Sequence, residues 1–370
     1  MNDEIELVAE IRPDVDPYAP EARTAARARL RVTRRKPYRL VLAGALAVGV
    51  AATAVAVMDG PAREAVPVAL ATPEMAKMSA EELLGRAAGQ AAGDDLRPRA
   101  DQYIEVSSQV MYSATAVSSG GTSRYLYRNN RTIWQSADGS RAGVLQSERL
   151  EPKAYPGWPV PDYAWDNIGE VSLMKLTHCD TVAPLWARYD YFSLSTWPDD
   201  VAGMRALLYD EGRNGSGPDQ AAWTAVGDIL RENYVPPAQR AALFKAAATI
   251  PGVTVTENAQ DAAGRHGLGA GREFRGIRQE IIFDATTYEL LGERQVVVDA
   301  DQAQAPVGSL LGSTAQLEVK ITDTVPAVAD DPGAVCPEPA PSPDPANGSS
   351  PSPAAEISPY GTPPKPSGTS

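Results

Sequence analysis

The chain has 370 residues and a formal net charge of −13, with 43% hydrophobic and 22% charged side chains. That composition is globular rather than fibrous or disordered. So acidic a chain repels phosphate backbones and anionic lipid head groups, which argues against nucleic acid as a partner.

Residues 1–39 read as a small cytoplasmic helical segment. Asp3 and Glu6 stand in capping-box spacing, Ile5, Val8 and Ile11 fall near one face, and Pro13 and Pro17 end the pattern. Ala19 to Lys36 is rich in Ala and Arg and predicts a second helix, interrupted at Pro37. Residues 40–58, LVLAGALAVGVAATAVAVM, follow without a charge. At about 1.5 Å per residue this run crosses a hydrocarbon core of roughly 30 Å. Between Arg23 and Arg39 lie eight basic residues and no acidic one, so the positive-inside rule keeps the N-terminus in the cytoplasm. The expected localisation is the cell membrane, single-pass, with everything after Met58 extracytoplasmic. A cleaved secretory signal is the competing reading, but 39 residues precede the run, against roughly 15–30 for an entire signal.

Residues 59–78 contain Pro61, Pro67 and Pro73 and read as a linker. Ser79-Ala80-Glu81-Glu82 then forms a capping box that opens a helix to about Gly89. From Tyr103 the period changes to two, with Ile104, Val106, Val110 and Tyr112 alternating with polar neighbours. Arg124 to Gln135 repeats the signal, and Ala137 to Ser140 offers a hairpin turn before a strand over Arg141 to Glu148. The middle is helical. Asp199 and Asp200 cap a helix through Leu208, Pro218 opens a second, and Pro237 opens a third that ends at Pro251-Gly252.

Strands return over Val253 to Glu257, Gln279 to Phe283, Leu290 to Asp299 and Gln316 to Asp323, where Leu317, Val319 and Ile321 alternate with polar residues. Strands, then helices, then strands predict an α+β domain over residues 79–325, an antiparallel sheet with packed helices. Residues 326–370 hold thirteen of the 32 prolines and almost no large apolar side chains. Such a Pro/Ser-rich tail is expected to be disordered.

Three stretches suggest a relative: VAEIRPDVDPYAPEARTAARARL (8–30), VGDILRENYVPPAQRAALFKAAATIPGVTV (226–255) and RQEIIFDATTYELLGERQVVV (278–298). They resemble an uncharacterised family of actinobacterial single-pass membrane proteins often encoded beside extracytoplasmic-function sigma factors. The resemblance implies a regulatory role in the envelope and brings no catalytic residue with it. It makes a cytoplasmic sigma factor a candidate partner of residues 1–39, although those residues have no His or Cys for a zinc-type anti-sigma domain.

Candidate sites are few. Cys179 and Cys336 are the only cysteines, and in this topology both face the oxidising side. A disulfide between them would close a loop of about 157 residues, worth roughly 5 kcal/mol in chain entropy. His178, Cys179 and Asp180 are consecutive and cannot converge on one ion from a strand, so no metal and no cofactor is expected. Gly267, Gly269 and Gly271 echo a phosphate loop but read as a flexible hairpin loop. Asp162, Asp166, Glu170 and Asp190 could supply an acid/base pair for glycan cleavage, yet read as solvated surface. No nucleophile elbow is present, so the expectation is a protein that is not an enzyme.

The aromatic density from Tyr155 to Trp197 is the remaining signal, with nine of 24 aromatics in 43 residues. Ring faces on loops can stack on sugars or line an apolar groove. Trp158 and Trp165 are the expected ligand-binding residues, for a cell-wall glycan or lipid. Three functions follow in order: an anchored sensing or binding protein whose cytoplasmic segment regulates a sigma factor, an anchored envelope ligand- or lipid-binding module without signalling, and a cell-wall enzyme.

Overall fold

The computed structural model describes residues 72–94, 96–118, 121–176, 189–211 and 216–329. The expected cytoplasmic segment, the membrane run 40–58 and residues 330–370 lie outside the described residues, as do His178, Cys179, Trp186 and Cys336. Among the described residues no helix is long and apolar enough to cross a membrane.

Ten antiparallel strands form one sheet: β1 (Glu74–Met75), β2 (Tyr103–Ser118), β3 (Gly121–Ser136), β4 (Gly143–Ala154), β5 (Val171–Leu176), β6 (Thr254–Gln260), β7 (His266–Phe274), β8 (Ile277–Phe283), β9 (Leu290–Val297) and β10 (Leu310–Thr322). Their order is β1-β6-β7-β8-β9-β10-β2-β3-β4-β5, so the N-terminal meander joins the C-terminal one through the β10–β2 pair. The helices are α1 (Ala80–Ala92), the short α2 (Tyr191–Leu194), α3 (Val201–Glu211), α4 (Pro218–Glu232), α5 (Pro237–Ala248) and the short α6 (Ala300–Ala303). The architecture is α+β, as expected.

Local chemistry accounts for the helix starts. Ser79 accepts the Glu82 amide at 3.1 Å as the N-cap, while the Glu82 carboxylate accepts Arg86 at 2.7 Å. Asp200 accepts the Gly203 amide at 2.9 Å at the head of α3, and Pro218 and Pro237 occupy the first turns of α4 and α5. The helices pack on one face of the sheet. There α1, α3, α4 and α5 bury Leu83, Leu208, Trp223, Val226 and Phe244 against Val255, Ala270, Ile281 and Phe283. Phe244 meets Phe283 edge-on, with centroids 5.3 Å apart.

Four expectations change. Gly267, Gly269 and Gly271 form no loop; they lie within β7. A Cβ on Gly269 would stand 2.7 Å from Thr256 Oγ1 and 3.0 Å from Glu280 Cδ, so the glycines make room for buried polar side chains. Leu317 breaks the expected alternation: the β10–β2 register shifts between Gln316 and Glu318, leaving Leu317 48% exposed. Within the expected linker, Glu74 and Met75 pair with β6 and Ala76 donates to the Val255 carbonyl. Within the expected tail, Val328 packs with Val325 on Tyr103, Trp134 and Val144.

The face away from the helices has its own interior. Met111, Leu126, Tyr155, Ala262, Val297, Leu310 and Ala315 cluster there, under the chain around α6. Beside them sits a buried ion network, in which Glu280 receives Arg278 Nε at 2.6 Å and Thr256 Oγ1 on one oxygen and Arg294 Nε on the other. Arg278 also donates to Thr254 Oγ1 at 2.8 Å and to its carbonyl at 2.9 Å.

Candidate functional site

Around its apolar core residues, helix α4 also meets the sheet through polar side chains near both ends. Near its start, Gln220 donates to Gln279 Oε1 at 2.7 Å and Trp223 Nε1 to the Gln279 carbonyl at 3.1 Å. Near its end, Arg231 donates to Glu293 Oε2 at 2.8 Å and to Asp228 at 2.9 Å, while Arg131 of β3 donates to Glu232. Just beyond, Gln135 donates to Asn233 Oδ1 at 3.2 Å. Gly227 makes this approach fit, since a Cβ there would lie 3.3 Å from the Glu293 carboxylate.

A small cleft opens along this seam, lined by Val110, Arg131, Leu230, Leu290, Glu293 and Thr314 among others. It encloses about 330 Å³ counted out to open solvent, with interior room for about one water-sized guest. Glu293 Oε1 is buried beside it and finds no protein donor, and Arg231 Nε is likewise without a partner. Burial pushes the Glu293 carboxyl up, with Arg231 pulling it partly back. Burial also works against the Arg231 charge, but Glu293, Tyr112 and Asp228 outweigh it and hold the guanidinium charged.

From this seam a strip of tyrosines runs along the helix-facing side of the β2–β3 hairpin. Tyr112 and Tyr127 are register partners with rings 5.9 Å apart. Two residues on, Tyr125 meets Tyr163 edge-to-face at 6.0 Å, and Tyr163 OH bonds Ser123 Oγ at 3.0 Å. Burial pushes the Tyr112 phenol up to about 12, against the opposing pull of Arg231. Tyr127 keeps 39% of its surface exposed. The strip therefore grades from a half-buried, charge-flanked end to an open aromatic one.

Of the expected site residues, Trp165 ends the 3-10 helix Asp162–Trp165 that also holds Tyr163. Trp158 is 37% exposed in the preceding turn, where its amide donates to the Tyr155 carbonyl. The cleft at Glu293 is lined by other residues than these two. Much of the aromatic cluster is structural: Tyr155 and Trp197 are buried, and Tyr191 stacks on Tyr234 at 6.1 Å.

Asp162, Asp166 and Glu170 are exposed, and Asp190 caps α2 through the Ser193 amide and hydroxyl. His266 lies at an exposed strand end beside Gln260. Among the described residues no group of three or more His, Cys, Asp or Glu could hold a metal ion.

The seam residues Arg231, Glu232 and Glu293 give no signal in sequence. Arg231 and Glu232 close an ordinary helix, and Glu293 sits in the polar run Glu293-Arg294-Gln295, which reads as solvent-facing. Only the register that sets Glu293 beside Thr314 and Ile281, on the face that α4 covers, brings it inside.

No family model matches the chain, and no curated protein matches it. Among solved structures it is similar to a LolA superfamily protein from Nitrosomonas europaea, at 10% identity over 66% of this chain and 93% of that one, with a TM-score of 0.16. A likeness of that size establishes neither a common fold nor a common function.

Proposed function

We propose that the folded domain is a non-enzymatic binding module held outside the cell membrane by residues 40–58. It takes an amphipathic envelope ligand, a cell-wall glycan or a lipid, along the tyrosine strip and into the seam under α4. The observation that carries this reading is the graded strip itself: exposed Tyr127 beside half-buried Tyr112, ending at a carboxylate with one unengaged oxygen. Aromatic faces supply apolar contact and the ion pairs supply orientation, the usual division of labour in a ligand groove. The seam is closed by side-chain pairs around a water-sized space, which a shift of α4 would enlarge. In keeping with the resemblance, residues 1–39 would report occupancy to a sigma factor.

The test is titration of the full chain in non-ionic detergent with soluble muropeptides and, separately, with dioctanoylglycerol, following intrinsic fluorescence. One of the two should give a saturable change that weakens at least about tenfold in Tyr127→Ala and Trp165→Ala, a loss of about 1.4 kcal/mol or more. Trp158→Ala tests the remaining expected residue in the same way. No saturable change with either probe, or unaltered binding in Tyr127→Ala and Trp165→Ala, would sink the proposal.

A further inference from the structure

A second site lies on the other face of the sheet and does not depend on the reading above. Arg124, Leu126 and Arg128 alternate along β3, so all three side chains leave the same face. Lys153 of β4 pairs in register with Leu126 and stands between the two arginines. The Arg124 guanidinium lies 3.8 Å above the ring of Tyr155, which is 1% exposed. Arg128 donates to Gln109 Oε1 at 3.2 Å and to the Glu151 carbonyl at 3.4 Å. Among the described residues no carboxylate forms a salt bridge with any of the three cations. Glu151, itself exposed, acts on Arg128 only at longer range.

Arg128 and Lys153 stand close enough to repel, and partial burial adds a desolvation cost to all three cations. Burial is the leading effect on all three, drawing Arg124, Arg128 and Lys153 below their ordinary values, with the Arg128 charge adding to the shift of Lys153. Arg124 Nε, Arg128 Nε and Tyr155 OH are buried without protein partners. On the same face, the arginines at 278 and 294 share Glu280 between them. Glu151 is the one carboxylate among the described residues that bears on Arg128, through space rather than in an ion pair.

We propose that Arg124, Arg128 and Lys153 form a binding site for a phosphate group, supplied either as a phosphomonoester lipid head group or as free phosphate. Two guanidinium forks and an ammonium suit a dianion with three acceptor oxygens. Tyr155 holds Arg124 in place through its ring face.

The experiment is calorimetric titration of the full chain in non-ionic, phosphate-free detergent with inorganic phosphate and with dioctanoyl phosphatidic acid. Saturable binding of either probe is expected, weakened at least about tenfold in the Arg124→Gln/Arg128→Gln double variant, because each charge-assisted bond is worth about that factor or more. Tighter binding of phosphatidic acid assigns the lipid source, and equal binding of the two assigns the free anion. Without phosphate, the double variant and Lys153→Gln should unfold at or above the wild-type midpoint, since like-charge repulsion is relieved. Failure of both probes to saturate on the wild type, unchanged binding in the double variant, or a lower midpoint in both variants would overturn the assignment.

Discussion

Glu280 and Glu293 are carboxylates on adjacent strands, each held by arginine, and they are completed differently. Glu280 has both oxygens engaged, by two arginines and a threonine, with its side chain fully buried. Glu293, on the helix-facing side, has one oxygen on Arg231 and the other without a protein donor, next to a cleft. A satisfied buried network fixes one arrangement of the strands, whereas a half-satisfied one leaves a group that a ligand or a shift of α4 can engage. The first is architecture, and the second is where binding is proposed.

The largest break in this contrast should come from Glu280→Gln, which removes the only charge shared by Arg278 and Arg294. A loss of about 3–5 kcal/mol in denaturant-unfolding stability is expected, the scale for breaking a buried pair from one side. Gly269→Ala attacks the same network through space and should cost about 1–3 kcal/mol, because the added methyl meets Thr256 and Glu280 at 2.7 and 3.0 Å. Glu293→Gln should cost less than about 1.5 kcal/mol, since Arg231 keeps Asp228 and part of its solvent contact. Equal losses for Glu280→Gln and Glu293→Gln would erase the distinction.

The smallest effect concerns a tie outside both networks. Asp94 accepts Arg240 at 2.7 Å and the Leu96 amide at 3.1 Å. Burial opposes its charge, but these bonds outweigh it and hold the carboxyl below its usual range near 3.8. Its contribution is therefore present above the unfolded value and is lost as pH falls through the depressed folded value. Asp94→Asn should cost about 1 kcal/mol at neutral pH, with the gap to wild type closing below about pH 4. A gap constant from pH 7 to 3, read by thermal unfolding, would remove this tie from the account.

The periodic parts of the fold were legible in sequence. Ser79, Asp200, Pro218 and Pro237 marked their helix starts, and alternation in Ile104 to Tyr112 and in Arg124 to Gln135 marked the central hairpin. What sequence hid is what depends on the partner strand. The β7 glycines read as a loop because their reason, room for Glu280 and Thr256, lies on β8 and β6. Leu317 read as an inward residue because a register shift leaves no local trace. Glu293 and Arg231, at the inner end of the tyrosine strip, become neighbours only when α4 folds onto β9.

Hydrogen exchange on the full chain is the most direct measurement of the difference between the two carboxylates. With whichever of muropeptide or dioctanoylglycerol saturates in titration, amides of residues 228–233 around the Arg231–Glu293 seam should exchange more slowly, while those of 278–282 around Glu280 stay unchanged. Identical exchange in both segments with and without that probe would contradict a ligand entering under α4.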